Sequence, residues 1–151
     1  MKFLIKTILL LSVTCSLLFA PSCQTTCDNG YEGKRCDVPW RDKYKGAWNV
    51  IDDSIGTTLV YSDTITDGTN VTDVYLQRNF LNKKFIKNIR ATVNNNTITI
   101  PNQKPDASKL VNIEGTGTLN SDKNKINWSY TLFKTDSPQT STVITSVWTK
   151  Q

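Results

Sequence analysis

Between Trp40 and Trp148 apolar residues recur at alternate positions over short runs, and clusters of Thr, Asn, Asp and Gly separate the runs. Alternation with period two is the mark of a strand with one buried face. The runs are Ala47 to Ile51, Thr57 to Ile65, Val71 to Gln77, Phe85 to Val93, Thr97 to Ile100, Val111 to Leu119, Ile126 to Phe133 and Val143 to Trp148. Two of them state their faces clearly. Phe85, Ile89, Ala91 and Val93 share one side, as do Ile126, Trp128, Tyr130 and Leu132. The pattern predicts an all-β domain of about eight strands, at roughly 8–12 residue spacing. No long stretch carries the 3.6-residue helical period. Short local connections favour an antiparallel meander, and eight strands are enough to close it into a barrel with no exposed edge. Gly115 and Gly117 inside one run predict a bend or bulge.

The start of the chain follows a different pattern. Lys2 and Lys6 precede a mostly apolar stretch from Thr7 to Phe19, and the small residues Ala20-Pro21-Ser22 lead to Cys23. A basic start, an apolar run too short to span a bilayer and a small-residue cleavage flank describe an export signal, expected over residues 1–22. Losing it with Lys2 and Lys6 takes the formal net charge from +5 to about +3, too mild and dispersed to predict a nucleic-acid partner. Among the body's charges, Arg78, Lys83, Lys84, Lys87 and Arg90 are the densest group, and read most simply as a solvated hairpin end.

The chain has no histidine. That removes Ser-His-Asp and Cys-His nucleophiles, and it removes His-based zinc sites. Carboxylates remain, at Asp52, Asp53, Asp63, Asp67, Asp73 and Glu114, but their spacing forces no two together. An enzyme, a cofactor and a metal site are therefore not expected.

Cleavage before Cys23 would leave Cys23, Cys27 and Cys36, an odd number for an exported chain. The segment resembles a bacterial lipoprotein signal, in which a cysteine becomes the first mature residue and carries the lipid, although Ala20 stands where leucine is favoured. Lipidation of Cys23, with fatty-acyl chains such as palmitate, restores parity and leaves Cys27 to pair with Cys36. The loop between them reads C-x2-G-Y-x-G-x2-C and resembles the last loop of an epidermal-growth-factor-like module. Residues 23–40 are then a lipidated, disulfide-looped spacer, and residues 41–151 are the β domain.

Gly46-Ala47-Trp48 gives G-x-W at the start of the first strand. This resembles the opening signature of lipocalins and related calycins, in which the tryptophan plugs one end of the barrel and a basic residue near the last strand packs on it. Lys150 stands at the matching place. The layout as a whole resembles small Bacteroidetes-type lipoproteins with a cysteine stub and a lipocalin-like domain. The resemblance implies an outer-membrane lipoprotein of the cell envelope, attached through its lipid, whose barrel binds a small apolar or amphipathic ligand. Tyr61, Tyr75, Trp128 and Tyr130 are the candidate lining residues. The competing reading is a non-catalytic interaction or structural module of the envelope that binds protein or glycan. Asp53-Ser54-Ile55 and Asp63-Thr64-Ile65 also resemble the O-glycosylation pattern of the same bacteria, and read equally well as turn and strand residues.

Overall fold

The computed structural model describes residues 26–54, 56–106, 111–135 and 139–151. The export signal expected over residues 1–22 and the expected lipidation of Cys23 fall outside the described residues. A two-stranded ribbon, β1 (Tyr31–Glu32) and β2 (Val38–Pro39), comes first, followed by a 3-10 turn over Trp40–Lys43. Eight longer strands follow: β3 (Gly46–Ser54), β4 (Thr57–Asp67), β5 (Asp73–Leu76), β6 (Ile89–Asn94), β7 (Thr97–Gln103), β8 (Val111–Leu119), β9 (Lys125–Lys134) and β10 (Thr140–Lys150). Each pairs antiparallel with the next, and β10 returns to pair with β3. The expected closed meander barrel is the fold, with a Cys27–Cys36 disulfide in the segment before it.

Alternation decides what enters the barrel. Trp48 and Val50 on β3, Ile89, Ala91 and Val93 on β6, Ile126, Trp128 and Tyr130 on β9, and Trp148 on β10 are all buried. Burying a large apolar side chain stabilises by about 1.5–3 kcal/mol, so this inner face dominates the fold. The aromatic rings meet at its centre. Phe80 lies 5.1 Å from Tyr130 and 6.0 Å from Trp148, and Trp128 lies 5.7 Å from Trp148, between centroids. Gly115 and Gly117 stand directly opposite Tyr130 and Trp128 in the β8–β9 register. A Cβ at Gly115 would collide with the Tyr130 side chain, and one at Gly117 would lie 2.6 Å from the Trp128 ring. Their smallness makes room for the aromatics across the ladder. The expected irregularity is present beside them, where the β7–β8 register shifts between Ile100 and Gln103 around Pro101, which has no N–H to give the ladder.

Two expected strands are shorter than their alternation implied. Val71 and Thr72 fall outside β5, because the Asp73 carboxylate accepts hydrogen bonds from the Asn70 backbone and side chain and holds the chain in a turn. Phe85 is buried but does not belong to β6. Its N–H donates to the Arg78 carbonyl within the β5–β6 connection, and its ring helps close the end of the barrel. A side chain that plugs a barrel and one that lines it have the same apolar signature.

The two ends of the barrel differ. One is sealed by the segment before β3. Tyr44 is fully buried and donates to the Asn95 carbonyl at 3.0 Å, and Trp48 Nε1 donates to the Tyr44 carbonyl at 2.8 Å. The disulfide-looped segment packs on this same end. Gly30 sits against Val71 and Thr72, and Glu32 pairs with the buried Lys43 at 2.7 Å and with Lys123 at 3.4 Å. At the other end the β5–β6 connection folds across the opening, with a 3-10 turn over Phe80–Asn82.

Candidate functional site

The open end holds a pocket of about 390 Å³ lined by Leu81, Phe85, Val111 and Leu132, with Lys83, Lys134 and Thr142 around it. Its wall is apolar and its rim carries two lysines. Leu81 and Phe85 come from the β5–β6 connection, Val111 from the start of β8, and Leu132 from the inner face of β9. The connection is strained. Leu81, Asn82 and Lys84 have φ of 59°, 52° and 50°, the left-handed region that L side chains other than Asn and Asp seldom adopt. Burial of Phe80, Leu81 and Phe85 holds it down, as does a hydrogen bond from the Leu81 N–H to the Tyr61 hydroxyl at 2.8 Å.

Beneath Leu81 lies a polar cluster inside the barrel. The Tyr61 hydroxyl donates to Asp52 Oδ2 at 2.8 Å. Asp52 stands opposite Ser146 across the β3–β10 pair, and Ser146 stands opposite Trp128 across the β10–β9 pair, so the three share one inward row. The Tyr130 hydroxyl is close to Asp52 and Ser146. Asp63, on the β4 face that carries Tyr61 and Ile65, accepts from the Thr64 N–H at 2.7 Å. Burial pushes the Asp63 carboxyl up to about 7 and the nearby Asp52 adds to the shift, while the backbone N–H groups of Thr64 and Gln77 partly offset it. Burial likewise holds the Tyr61 and Tyr130 hydroxyls well above the usual phenol range, so both stay protonated.

Neither a family model nor a curated protein matches this chain. The functional reading therefore rests on the barrel and its side chains.

Of the four candidate lining residues, Tyr61, Trp128 and Tyr130 face the interior. Tyr75 does not share it. It alternates with the buried Val74 and Leu76, pairs with Arg90 and Thr66, and turns its hydroxyl to Thr69 on the outer wall. Gly46 has φ of +120°, and Trp48 is fully buried at the sealed end with the Lys150 ammonium over its ring. The carboxylates divide in the same way. Asp53 accepts from Thr58 on the outside, Asp67 pairs with Arg41 and Lys45, and Glu114 accepts from Asn102. Asp73 is buried too, but it is out of phase with the inward Val74 and Leu76 and engages Asn70 and Arg90, so of the six only Asp52 and Asp63 turn into the barrel, where the charge of Asp52 acts on Asp63. The alternation already held this signal, because Asp52 is in phase with Trp48 and Val50, and Asp63 with Tyr61 and Ile65. Among the described residues no group of three or more Cys, Asp or Glu is placed to hold a metal ion.

Proposed function

We propose that this protein is a lipid-anchored envelope lipoprotein whose barrel binds a small apolar or amphipathic molecule at its open end, without catalysis. The observation that carries the reading is the pocket of about 390 Å³ between Leu81, Phe85, Val111 and Leu132. Such a pocket is of the size and polarity that takes small ligands, and the lysines at its rim suit an anionic headgroup. The lipocalin-like opening Gly46-Ala47-Trp48 and the Lys150 contact support it. The probe is 1-anilinonaphthalene-8-sulfonate, whose rings fit an apolar wall and whose sulfonate suits the rim. Saturable one-to-one binding to the folded domain is expected. Leu132→Trp, which fills the pocket, abolishes it, and Lys134→Glu weakens it about tenfold. Binding unchanged in both variants, with circular dichroism showing intact folds, would refute the pocket. The anchor is tested separately. Cells fed a clickable fatty acid label the wild-type protein and not Cys23→Ser, and label persisting in that variant overturns the assignment.

One observation favours the interaction-module reading. Val147, Ile51 and Val60 are cross-strand neighbours on the outer faces of β10, β3 and β4, and all three are exposed. A photo-crosslinker placed at Val60 in cells would capture an envelope partner if that row is an interface, and absence of any crosslinked species counts against it.

A further inference from the structure

Charge is distributed unevenly between the two ends of the barrel. At the sealed end Arg41, Lys43, Lys45 and Lys123 are paired with Glu32, Asp42 and Asp67. At the open end Arg78, Lys83, Lys84, Lys87, Lys104 and Lys134 are all exposed, on the β5–β6 and β7–β8 connections and the last residue of β9. Arg78, Lys87, Lys104 and Lys134 have no ion-pair partner among the described residues. Asp106 is the one acid among the described residues of the open-end connections, and it is buried. Asp53, exposed near the end of β3, is turned to Thr58. A surplus of cations therefore surrounds the opening.

These cations are neighbours. Arg78, Ile86 and Lys87 line one surface groove, Arg78, Lys84 and Phe85 line the next, and Phe85, Lys83 and Lys134 belong to the open-end pocket. A continuous basic belt thus leads from Lys87 to the pocket mouth. The Lys87 N–H donates to the Pro105 carbonyl at 3.3 Å, which ties the β5–β6 connection to the β7–β8 connection and brings Lys104 to the belt. Within the belt stands Ile86, 65% exposed. A lone exposed apolar residue is ordinary. This one is held out in a fixed position. The Phe85 ring is buried on one side of it, and the Phe85 and Lys87 N–H groups that flank it are both bonded, to the Arg78 and Pro105 carbonyls.

We propose that the open rim docks on an anionic phospholipid surface, with Ile86 entering the acyl boundary and the surrounding cations meeting the phosphates. Each Lys or Arg held near such a surface is worth about fivefold in affinity. Lysine carries its charge at the end of an apolar stem, so its head stays among phosphates while an apolar neighbour sits deeper. A soluble polyanion would use the same cations and leave Ile86 in water. The inference goes beyond the pocket reading and stands whether or not the pocket holds a ligand. If it does, an amphipathic ligand would pass between bilayer and barrel at this mouth, because Lys83 and Lys134 belong to both the belt and the pocket.

The experiment is co-sedimentation of the full mature chain carrying Cys23→Ser, so that no acyl group contributes. The vesicles are phosphatidylcholine alone, or phosphatidylcholine with about 30% phosphatidylglycerol. Binding to the anionic vesicles is expected to be about tenfold tighter or more. It should weaken about tenfold between roughly 50 and 500 mM salt, as screening shortens the reach of the charges. Arg78→Glu with Lys87→Glu should weaken it by about tenfold or more, whereas Lys34→Glu with Arg35→Glu, the same change in net charge on the disulfide loop, should leave it within about twofold. Ile86→Ser should weaken it about fivefold. In Ile86→Trp the introduced indole should shift its emission to the blue and be quenched by brominated lipid. None of these side chains lines the open-end pocket, so the anilinonaphthalene probe should keep its affinity in every variant, and circular dichroism verifies the folds. Equal binding to neutral and anionic vesicles, equal losses from the two double reversals, or an introduced indole that stays in water overturns the proposal. So does heparin binding as tight as vesicle binding, which would assign the belt to a soluble polyanion. If the probe binds and the vesicles do not, the rim fails and the pocket stands; if the vesicles bind and the probe does not, the reverse holds.

Discussion

The Lys150 ammonium lies 5.5 Å from the centre of the Trp48 ring and donates a hydrogen bond to the Lys43 carbonyl at 3.1 Å. The last strand thereby locks the first strand and the sealing turn with a single side chain. Its Cε lies 3.6 Å from where a Cβ on Gly46 would be, an ordinary contact, so the backbone conformation and not space calls for glycine there. Lys150→Ala is expected to lower unfolding free energy by about 1–2 kcal/mol, from a cation–π contact and a hydrogen bond. Gly46→Ala is expected to cost a similar amount, because φ of +120° is foreign to a residue with a Cβ. Urea denaturation of each variant checks both.

Asp63 makes stability depend on pH in the direction opposite to an ordinary salt-bridged acid. Its carboxyl titrates near 7 in the fold and near 3.8 when unfolded. Between those values the folded state holds a proton that the unfolded state has released, so stability falls as pH rises from about 4 to 7 and levels off above. The charged and titratable groups around it are Asp52 on β3 and Tyr61 on its own strand. Asp63→Asn is expected to remove this slope and to stabilise the protein at pH 8 by an amount on the order of 1–4 kcal/mol. Denaturant midpoints at pH 5 and pH 8 measure it, and a wild-type midpoint that climbs over this range would contradict the assignment.

Glu32 has the reverse sign. Burial alone would raise its pKa, but the hydrogen bond and charge of Lys43, with help from Lys123, lower it below 4.5. Its contribution is present above 4.5 and disappears as pH falls through the lowered value. Glu32→Gln is expected to cost about 1–2 kcal/mol at pH 7, because it leaves Lys43 buried beside only the Asn95 side chain, and to cost less at pH 3. The same pair of denaturation series, run at those two pH values, tests this.

Gly115 and Gly117 are each intolerant of a methyl group. Gly115→Ala forces the β8–β9 ladder against Tyr130, and Gly117→Ala drives into the Trp128 ring. A loss of about 1–3 kcal/mol is expected from either, and more where the backbone must part. The double variant with Trp128→Leu should recover part of the Gly117→Ala loss, a coupling that a thermodynamic cycle isolates.

Most of the barrel was legible in the chain because its strands obey one rule throughout. Ile126, Trp128, Tyr130 and Leu132 could not face anywhere but inward. The Cys27–Cys36 link followed from counting thiols. What alternation could not convey is which apolar residues serve as lids. Phe85 keeps the parity of β6, yet it belongs to a connection whose path is set by backbone bonds from Phe85 to Arg78 and from Leu81 to Tyr61. Tyr75 was misjudged for a related reason, since an aromatic on a four-residue strand carries too little pattern to fix its face. Asp52 and Asp63 had the right phase but the wrong polarity for a core, and only the closure of β10 on β3 brings Ser146 and Trp128 into their row.

The chain both arrives and departs at the sealed end. The disulfide loop docks beside Val71 and Thr72, and Gln151 donates from its backbone to the Ala47 carbonyl at 3.0 Å. A tether on either side of the described domain therefore grips the base of a cup and turns its rim outward. An acyl anchor upstream would hold the opening toward the aqueous space instead of the bilayer that carries it, and a ligand would be met from solution. The same polarity suits sensor work, because coupling through the carboxyl end leaves the rim unobstructed.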